Sequence, residues 1–509
     1  MRRKLLLEAT PYAIVLAVLL ASSGKAFHID DAVFLGYARE ARLHPLQPYL
    51  AAGPSNPPGN VWLLAALTAL FGESERALHL ALLPFALLAL AGARWLAALF
   101  GVKQAWAVPL LLACSGCFLL SATTLMPDVT LLAFLLPGVA LLWSDEEKPR
   151  AWKLAAACAL FATGWTLRIS GAPVLGLAAL VQLSRRNWRA LWPLSALVLA
   201  FVGWTVLSRV QTGTAQTLGT ARLHGSFNTL LAFRLLSTAG AYLLTTTLAA
   251  AALLLRPRES PRRIIECCGF ALVLLAPFTP IGSSLLAAGA LLFFAARLRK
   301  LELGGDEVFL WLWIAAALAV PTLYNQATAK FLNLLLAPAA ILLLRACEHA
   351  AERRILAACA FGLAVALPLA IADQRHAEAL RELTLREVAA AKREGAAHVF
   401  VAGTGWGAYE YGPRSGAPYL DGSLAPGSPS AARLQPGDQL LDLSFPGSLS
   451  LPPGSVQLIA QGDCPDDFPL RTMADGAGLW SSQWGLLPFV WSREPLQPWW
   501  RVRILRSIR

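Results

Sequence analysis

Charged side chains are scarce through most of this chain, so those standing at the ends of apolar runs are the first candidates for chemistry. Asp30 and Asp31 follow the first apolar run, in GKAFHIDDAVFLGYARE, and Asp128 stands in SATTLMPDVTLLAF at the head of another. Arg168 (in GWTLRISG) and Lys330 (in NQATAKFLN) stand at the ends of two more, and His44 follows the Asp30-Asp31 pair. A carboxylate so placed can take a proton from an acceptor hydroxyl or amine. Neighbouring cations can hold a phosphate and stabilise the charge it gains as it departs. A phosphate leaves without a general acid. Each residue also has a plainer role. Asp30 would cap a helix lying at the membrane surface, and Asp128 would cap a helix after Pro127. Arg168 and Lys330 would reach from apolar helices to the interface.

The elements that position these residues follow from composition. Of 509 residues, 56% are apolar and 15% charged, against about 45–50% and about 25% in soluble domains. These values exclude disorder, collagen-like sequence and an ordinary cytosolic enzyme. Apolar runs recur to about residue 371; beyond it the chain is rich in Gly, Pro and Ser. The expected fold is an all-α polytopic membrane bundle over 1–371, with a small extracytoplasmic α/β or β domain over 372–509. Expected spans lie at 5–23, 77–99, 105–121, 128–143, 152–169, 172–183, 190–208, 232–255, 264–279, 281–296, 308–323, 330–344 and 355–371, about thirteen in all by the length a bilayer requires.

The run Val61–Phe71 would reach only about 16 Å, half a hydrocarbon core. If it does not cross, Arg2, Arg3 and Lys4 share a side with five basic loops: Lys148/Arg150/Lys153, Arg185/Arg186/Arg189, Arg256/Arg258/Arg262/Arg263, Arg297/Arg299/Lys300 and Arg345/Arg353/Arg354. The positive-inside rule prefers that arrangement. It makes 24–76 an outer loop with an interfacial helix, and puts the N-terminus in the cytoplasm and 372–509 outside. The net charge of +12 then reflects orientation in the membrane and not nucleic-acid binding. The basic start and apolar stretch resemble a signal peptide without a convincing cleavage site, so they are read as an uncleaved first span. The remaining outer cations are Arg39, Arg42, Arg222, His28 and His224. Cys114 and Cys117 form a CxxC inside an apolar run, where small buried side chains are a better reading than zinc or redox chemistry.

In the tail, 372–394 reads as a helix with charges on one face, followed by β-like runs HVFVAG, QLLDLSF and SVQLIAQ between Gly/Pro turns. Trp406, Tyr409 and Tyr411 could stack on a sugar or pack this domain onto the bundle.

A series of weak motifs over most of the chain resembles the GT-C fold glycosyltransferases, in particular the protein O-mannosyltransferase and bacterial aminoarabinose transferase family. HIDDAVFLGYARE resembles the family's Asp-Glu-x-x-Tyr/Phe segment. SNPPGNVWLLAALTALFGESERALHLALLPF is similar to its His-Pro-Pro-Leu amphipathic helix and second span. TTLMPDVTLLAF resembles its second acidic segment, and YNQATAKFLNLLLAPAAILL its late Arg-Tyr span. FVAGTGWGAYEYG and LQPGDQLL are similar to the outer C-terminal region of bacterial members. The resemblance implies a polyprenyl-phosphate-linked sugar donor, inversion at the anomeric carbon and an active site on the outer face. It makes Asp30 the base and Asp128 a second acid that orients the acceptor or the base. Three positions depart from the family pattern: Asp31 replaces Glu, Asn56 stands where relatives carry His or Lys, and Lys330 replaces Arg and loses its bidentate fork. Catalytic candidates are thus Asp30, Asp31 and Asp128, and donor-phosphate candidates are Arg168, Lys330, His44 and Asn56.

The expected function is transfer of a sugar from a polyprenyl-phosphate donor to an extracytoplasmic lipid, glycan or protein, at a bacterial inner membrane. No cofactor is expected, and a metal requirement is left open. The rivals are a lipid-linked saccharide transporter or flippase, which would place ionisable residues mid-span, and a non-catalytic membrane scaffold.

Overall fold

Long apolar runs with few helix breakers can satisfy their backbone groups in a membrane only as helices. The computed structural model describes residues 2–46, 56–144, 151–213, 242–255, 304–323, 327–402, 406–420, 434–443, 456–464, 468–473, 476–481, 485, 487–491 and 500–507. The helices are α1 (Arg2–Ala21), α2 (Asp31–Leu43), α3 (Gly59–Phe71), α4 (Glu75–Leu99), α5 (Ala107–Ala113), α6 (Gly116–Ala122), α7 (Pro127–Trp143), α8 (Ala151–Leu167), α9 (Gly171–Ser184), α10 (Leu191–Thr212), α11 (Thr247–Leu254), α12 (Gly305–Leu323), α13 (Asn333–Ala346), α14 (Glu352–Arg393) and α15 (Trp406–Arg414). Among the described residues, five helical segments are long and apolar enough to cross a membrane: Arg2–Ala21, Glu75–Leu99, Trp188–Gln211, Ala329–Ala346 and Glu352–Arg393. A bent pair, α6 with α7, would make a sixth. The expected spans 264–279 and 281–296, and the first part of 232–255 (232–241), lie outside the described residues.

One expectation needs correction. The span expected at 105–121 is broken into α5 and α6. Ser115 adopts an extended conformation between them, with ψ at 127°. The carbonyl of Leu111 is met by the Ser115 hydroxyl at 2.7 Å and the Thr247 hydroxyl at 2.6 Å. Ser and Thr side chains thus re-satisfy backbone that the break frees. α6 and α7 then meet at 109°. A second point concerns continuity only: α14 runs for 42 residues across the position 371/372. The helix expected at 372–394 is the C-terminal part of that same helix.

Ion pairs and hydrogen bonds sort the helix ends into two groups. At one end Arg3 meets Glu352, Arg94 meets Glu8, Lys103 meets Glu348, Arg185 meets Asp306 and Arg345 meets Glu307. At the other end the start of α4 returns beside the end of α1, where the His79 ring bonds the Ser23 carbonyl at 3.1 Å. The segment 24–76 therefore begins and ends at the same end of the bundle. α3, 13 residues long, rises about 20 Å, less than a hydrocarbon core.

The tail carries a five-stranded mixed sheet in the order β2-β1-β3-β7-β4. Its strands are β1 (Val399–Ala402), β2 (Tyr419–Leu420), β3 (Gln439–Asp442), β4 (Val456–Cys464) and β7 (Trp500–Ser507). β2, β1 and β3 are parallel, and β7 runs antiparallel between β3 and β4. A two-stranded ribbon joins β5 (Leu470–Arg471) to β6 (Val490–Trp491). α15 connects β1 to β2 and packs against α14 and α2.

α3 is seated on α8 through Gly59, where a Cβ would lie 2.6 Å from the Thr166 carbonyl carbon. Gly59→Ala is expected to destabilise the protein by about 1–3 kcal/mol, read as a lower unfolding temperature in detergent; an unchanged temperature would mean that α3 does not rest on α8.

Candidate active site

Asp30 precedes α2, and the turn that presents it is strained. Ile29 has φ +54°, a left-handed conformation that costs a β-branched residue about 1–3 kcal/mol. The turn is closed by the Asp31 amide donating to the His28 carbonyl at 3.1 Å. It sends the two adjacent acids to different places. Asp31 is fully buried, and its Oδ1 accepts the Leu125 amide at 2.8 Å. The Asp30 side chain is 38% exposed and pairs with Lys330 Nζ at 3.0 Å.

The second pair joins Asp128, in the first turn of α7, to Arg168 just beyond α8. Both are buried, and Asp128 Oδ2 has no hydrogen-bond partner among the described residues. The Arg168 guanidinium lies over the Phe331 ring, 5.1 Å from its centroid, next in sequence to Lys330. Lys330 Nζ also lies 3.4 Å from Met126 Sδ. The short link 125–128 is therefore held on every side. Asp31 takes its first amide, Asn60 Nδ2 donates to the Leu125 carbonyl at 3.1 Å, Lys330 touches Met126, and Arg168 holds Asp128. Asp30, Lys330, Asp128 and Arg168 share one site through that link.

Beneath it lies a wholly buried ionic cluster. Asp373, on α14, accepts from Lys25 Nζ at 2.6 Å, from His28 Nε2 at 3.1 Å and from the Trp480 indole at 2.6 Å. Lys25 also donates to the Thr123 hydroxyl at 3.2 Å. The tail reaches the site a second time, where the Ala329 amide donates to the Leu479 carbonyl at 2.9 Å, one residue before Lys330.

The tail is clamped to α2 as well. Arg39 grips Glu410 with two hydrogen bonds, at 2.8 and 2.6 Å, and Glu73 with another at 2.9 Å. Burial works against its charge, but the bonds to Glu410 and Glu73 outweigh it and raise its pKa above the ordinary range. The Tyr411 hydroxyl accepts the Phe27 amide at 2.7 Å and donates to Glu75 at 3.0 Å. Burial pushes that hydroxyl well above its ordinary pKa, with the Glu75 charge adding to the effect, so it stays a donor. Of the tail aromatics, Tyr411 is thus a packing residue.

One candidate stands apart from the pairs. His44 is exposed at the far end of α2, about 20 Å along the helix from Asp30. Asn56 is half-buried ahead of α3, and Asn60 supplies a buried amide to the site. Arg222 and His224 lie outside the described residues. Sequence reasoning also missed Lys25, His28, Asp373 and Trp480 as a cluster. The available signal was a charge directly flanking the first and last apolar runs, Lys25 and Asp373. Trp480 had none. Among the described residues, no group of three or more His, Cys, Asp or Glu side chains is placed to hold a metal ion. Cys114 and Cys117 are buried thiols.

No family model and no curated protein matches the chain. Solved structures do. Two of them are of ArnT from Cupriavidus metallidurans, one bound to undecaprenyl phosphate and one in the apo state. Each has 16% identity and a TM-score of 0.49, and each match covers 98% of this chain and 97% of that one. Residue roles rest on the geometry above.

Breaking the buried cluster from one side is expected to be costly. Lys25→Met or Asp373→Leu alone should destabilise the protein by about 3–5 kcal/mol, because each leaves a buried charge unpaired. The double variant should be less damaged than the two losses summed. Strict additivity in thermal unfolding would show that the two charges do not depend on each other.

Proposed function

We propose that this chain is an integral-membrane glycosyltransferase that moves a sugar from a polyprenyl-phosphate donor to an acceptor outside the cytoplasm, with inversion. The observation that carries this reading is the meeting of two acid–cation pairs, Asp30–Lys330 and Asp128–Arg168, at one end of the bundle. The opposite end gathers Arg2, Arg3, Lys103, Arg185, Arg186, Arg189, Arg345, Arg353 and Arg354, which supports a cytoplasmic location for that end and the N-terminus. The organism class is bacterial and the membrane the inner one, on the motif resemblance.

The donor phosphate lies at Lys330 and Arg168, whose charges neutralise it as it leaves. Binding it draws Lys330 away from Asp30 and frees that carboxylate. Asp30 takes the proton from the acceptor hydroxyl or amine. The new bond forms at the anomeric carbon as the bond to the phosphate oxygen breaks, and polyprenyl phosphate departs with the electron pair. Asp128 holds Arg168 in place and presents its second oxygen to the reacting groups. Asp31 is a positioning residue that fixes link 125–128. Apolar bundle surfaces hold the lipid tail, so donor and acceptor meet as neighbours. A transporter would place ionisable residues midway along its spans; here the buried charges of Asp31, Asp128, Arg168, Lys25 and Asp373 gather at one end.

The test is transfer by purified protein from a panel of polyprenyl-phosphate sugars. Asp30→Asn is expected to lower the rate by about 10²–10⁴-fold with donor binding retained. Full transfer by that variant removes Asp30 from the base role, and no transfer by the unaltered chain with any donor favours a transporter or a scaffold. Arg168→Gln is expected to weaken binding of polyprenyl phosphate itself, measured by calorimetry in detergent. Undiminished binding would take Arg168 out of the phosphate site.

A further inference from the structure

A groove between α2, α15 and β2 is used by none of these steps. Its volume is about 430 Å³, and Arg39, Tyr409, Pro413, Gly416, Pro418 and Tyr419 line it. Pockets of about 300–1,000 Å³ suit small ligands, held by apolar and aromatic walls with a few fixed polar groups. The wall is built by close packing at Gly36, where a Cβ would lie 3.0 Å from Tyr409 Cε1 and 3.1 Å from its hydroxyl. Without a side chain there, the Tyr409 ring lies directly against α2. Tyr419 meets that ring edge-on, with centroids 5.0 Å apart and planes at 69°. Both tyrosines are half-buried, so ring surface faces the groove. Arg39 is pinned by Glu410 and Glu73 yet remains 38% exposed.

Ring faces of this kind cover the C–H face of a sugar, while a fixed guanidinium meets the hydroxyls on its rim. The location is equally specific. Arg39 stands nine residues after Asp30, mostly along α2, a rise of about 13 Å that a short oligosaccharide bridges. We propose that this groove is a saccharide subsite for the acceptor, holding a glycan whose terminal hydroxyl or amine reaches Asp30; the acceptor role rests on the transferase reading above.

The experiment applies the full chain in nanodiscs to an array of bacterial envelope saccharides. The unaltered chain is expected to be retained on a subset of them. Tyr419→Ala should cut that retention about tenfold, equivalent to about 1.4 kcal/mol, and Tyr419→Phe should keep it. Pro418→Trp, at the exposed rim, should block the groove and gives the same readout if Tyr419→Ala fails to fold. No retention on the array, equal retention by Tyr419→Ala and Pro418→Trp, or retention on proline-rich peptides instead, would overturn the proposal. A chain that binds saccharides through these tyrosines yet transfers no sugar keeps the subsite as a binding site and loses the transferase reading.

Discussion

The buried pair of Lys25 and Asp373 is the constraint on which the site end of this bundle rests. Removing two charges from water costs more than their attraction returns unless further hydrogen bonds complete the site. Here they do: His28 and the Trp480 indole fill the Asp373 carboxylate, and Thr123 takes a second bond from Lys25. These groups come from the segment after α1, the residue after α6, α14 and the tail. Four parts of the chain far apart in sequence must therefore be in register before the charges can be buried. The requirement is selective as well as stabilising, since a tail docked elsewhere would leave Asp373 without its indole.

That register fixes His28, and through it the strained turn at Ile29. Adjacent acids on a relaxed helix would face directions about 100° apart, and both would compete for the same solvent. The turn instead gives Asp31 to the protein interior and Asp30 to the open site. Chemically similar side chains are thus divided by backbone geometry into a fixed support and an accessible carboxylate. Link 125–128 receives the support and passes it to Asp128, whose partner Arg168 lies over the ring of Phe331, beside Lys330.

Much of this was legible in the sequence because apolar runs in a membrane have one structural outcome. The helices over 5–23, 77–99, 128–143 and 330–344, the brevity of Val61–Phe71, and the strands at 399–402, 439–442 and 456–464 all follow from local pattern. Asp30, Asp128, Arg168 and Lys330 were legible because each is a rare charge at the end of an apolar run. The failures have physical causes. The break at Ser115 is invisible locally, because what satisfies it is Thr247, over a hundred residues away. His44 was grouped with the site by its place in the segment 24–76, and α2 sets it at the helix end away from Asp30. β7 was overlooked, although WRVRILRS alternates, because its apolar positions are interleaved with arginines. Nothing local marks Trp480 as the partner of a carboxylate more than a hundred residues earlier.

The unbroken course of α14 has a mechanical consequence. Its 42 residues make a rod about 63 Å long, roughly twice a hydrocarbon core. The rod is pinned near one end by Glu352 to Arg3, at mid-length by Asp373, and packs against the sheet along its far half. A helix held at these separated points ties the C-terminal domain to the bundle, and Pro368, inside it, is the place where it can bend. A load on that domain is borne as bending of the rod and torque on its fulcrum, the same carboxylate that sets the turn before Asp30. The domain acts as an arm fixed to the floor of the site, and a molecule seated against it bears on that floor through the arm.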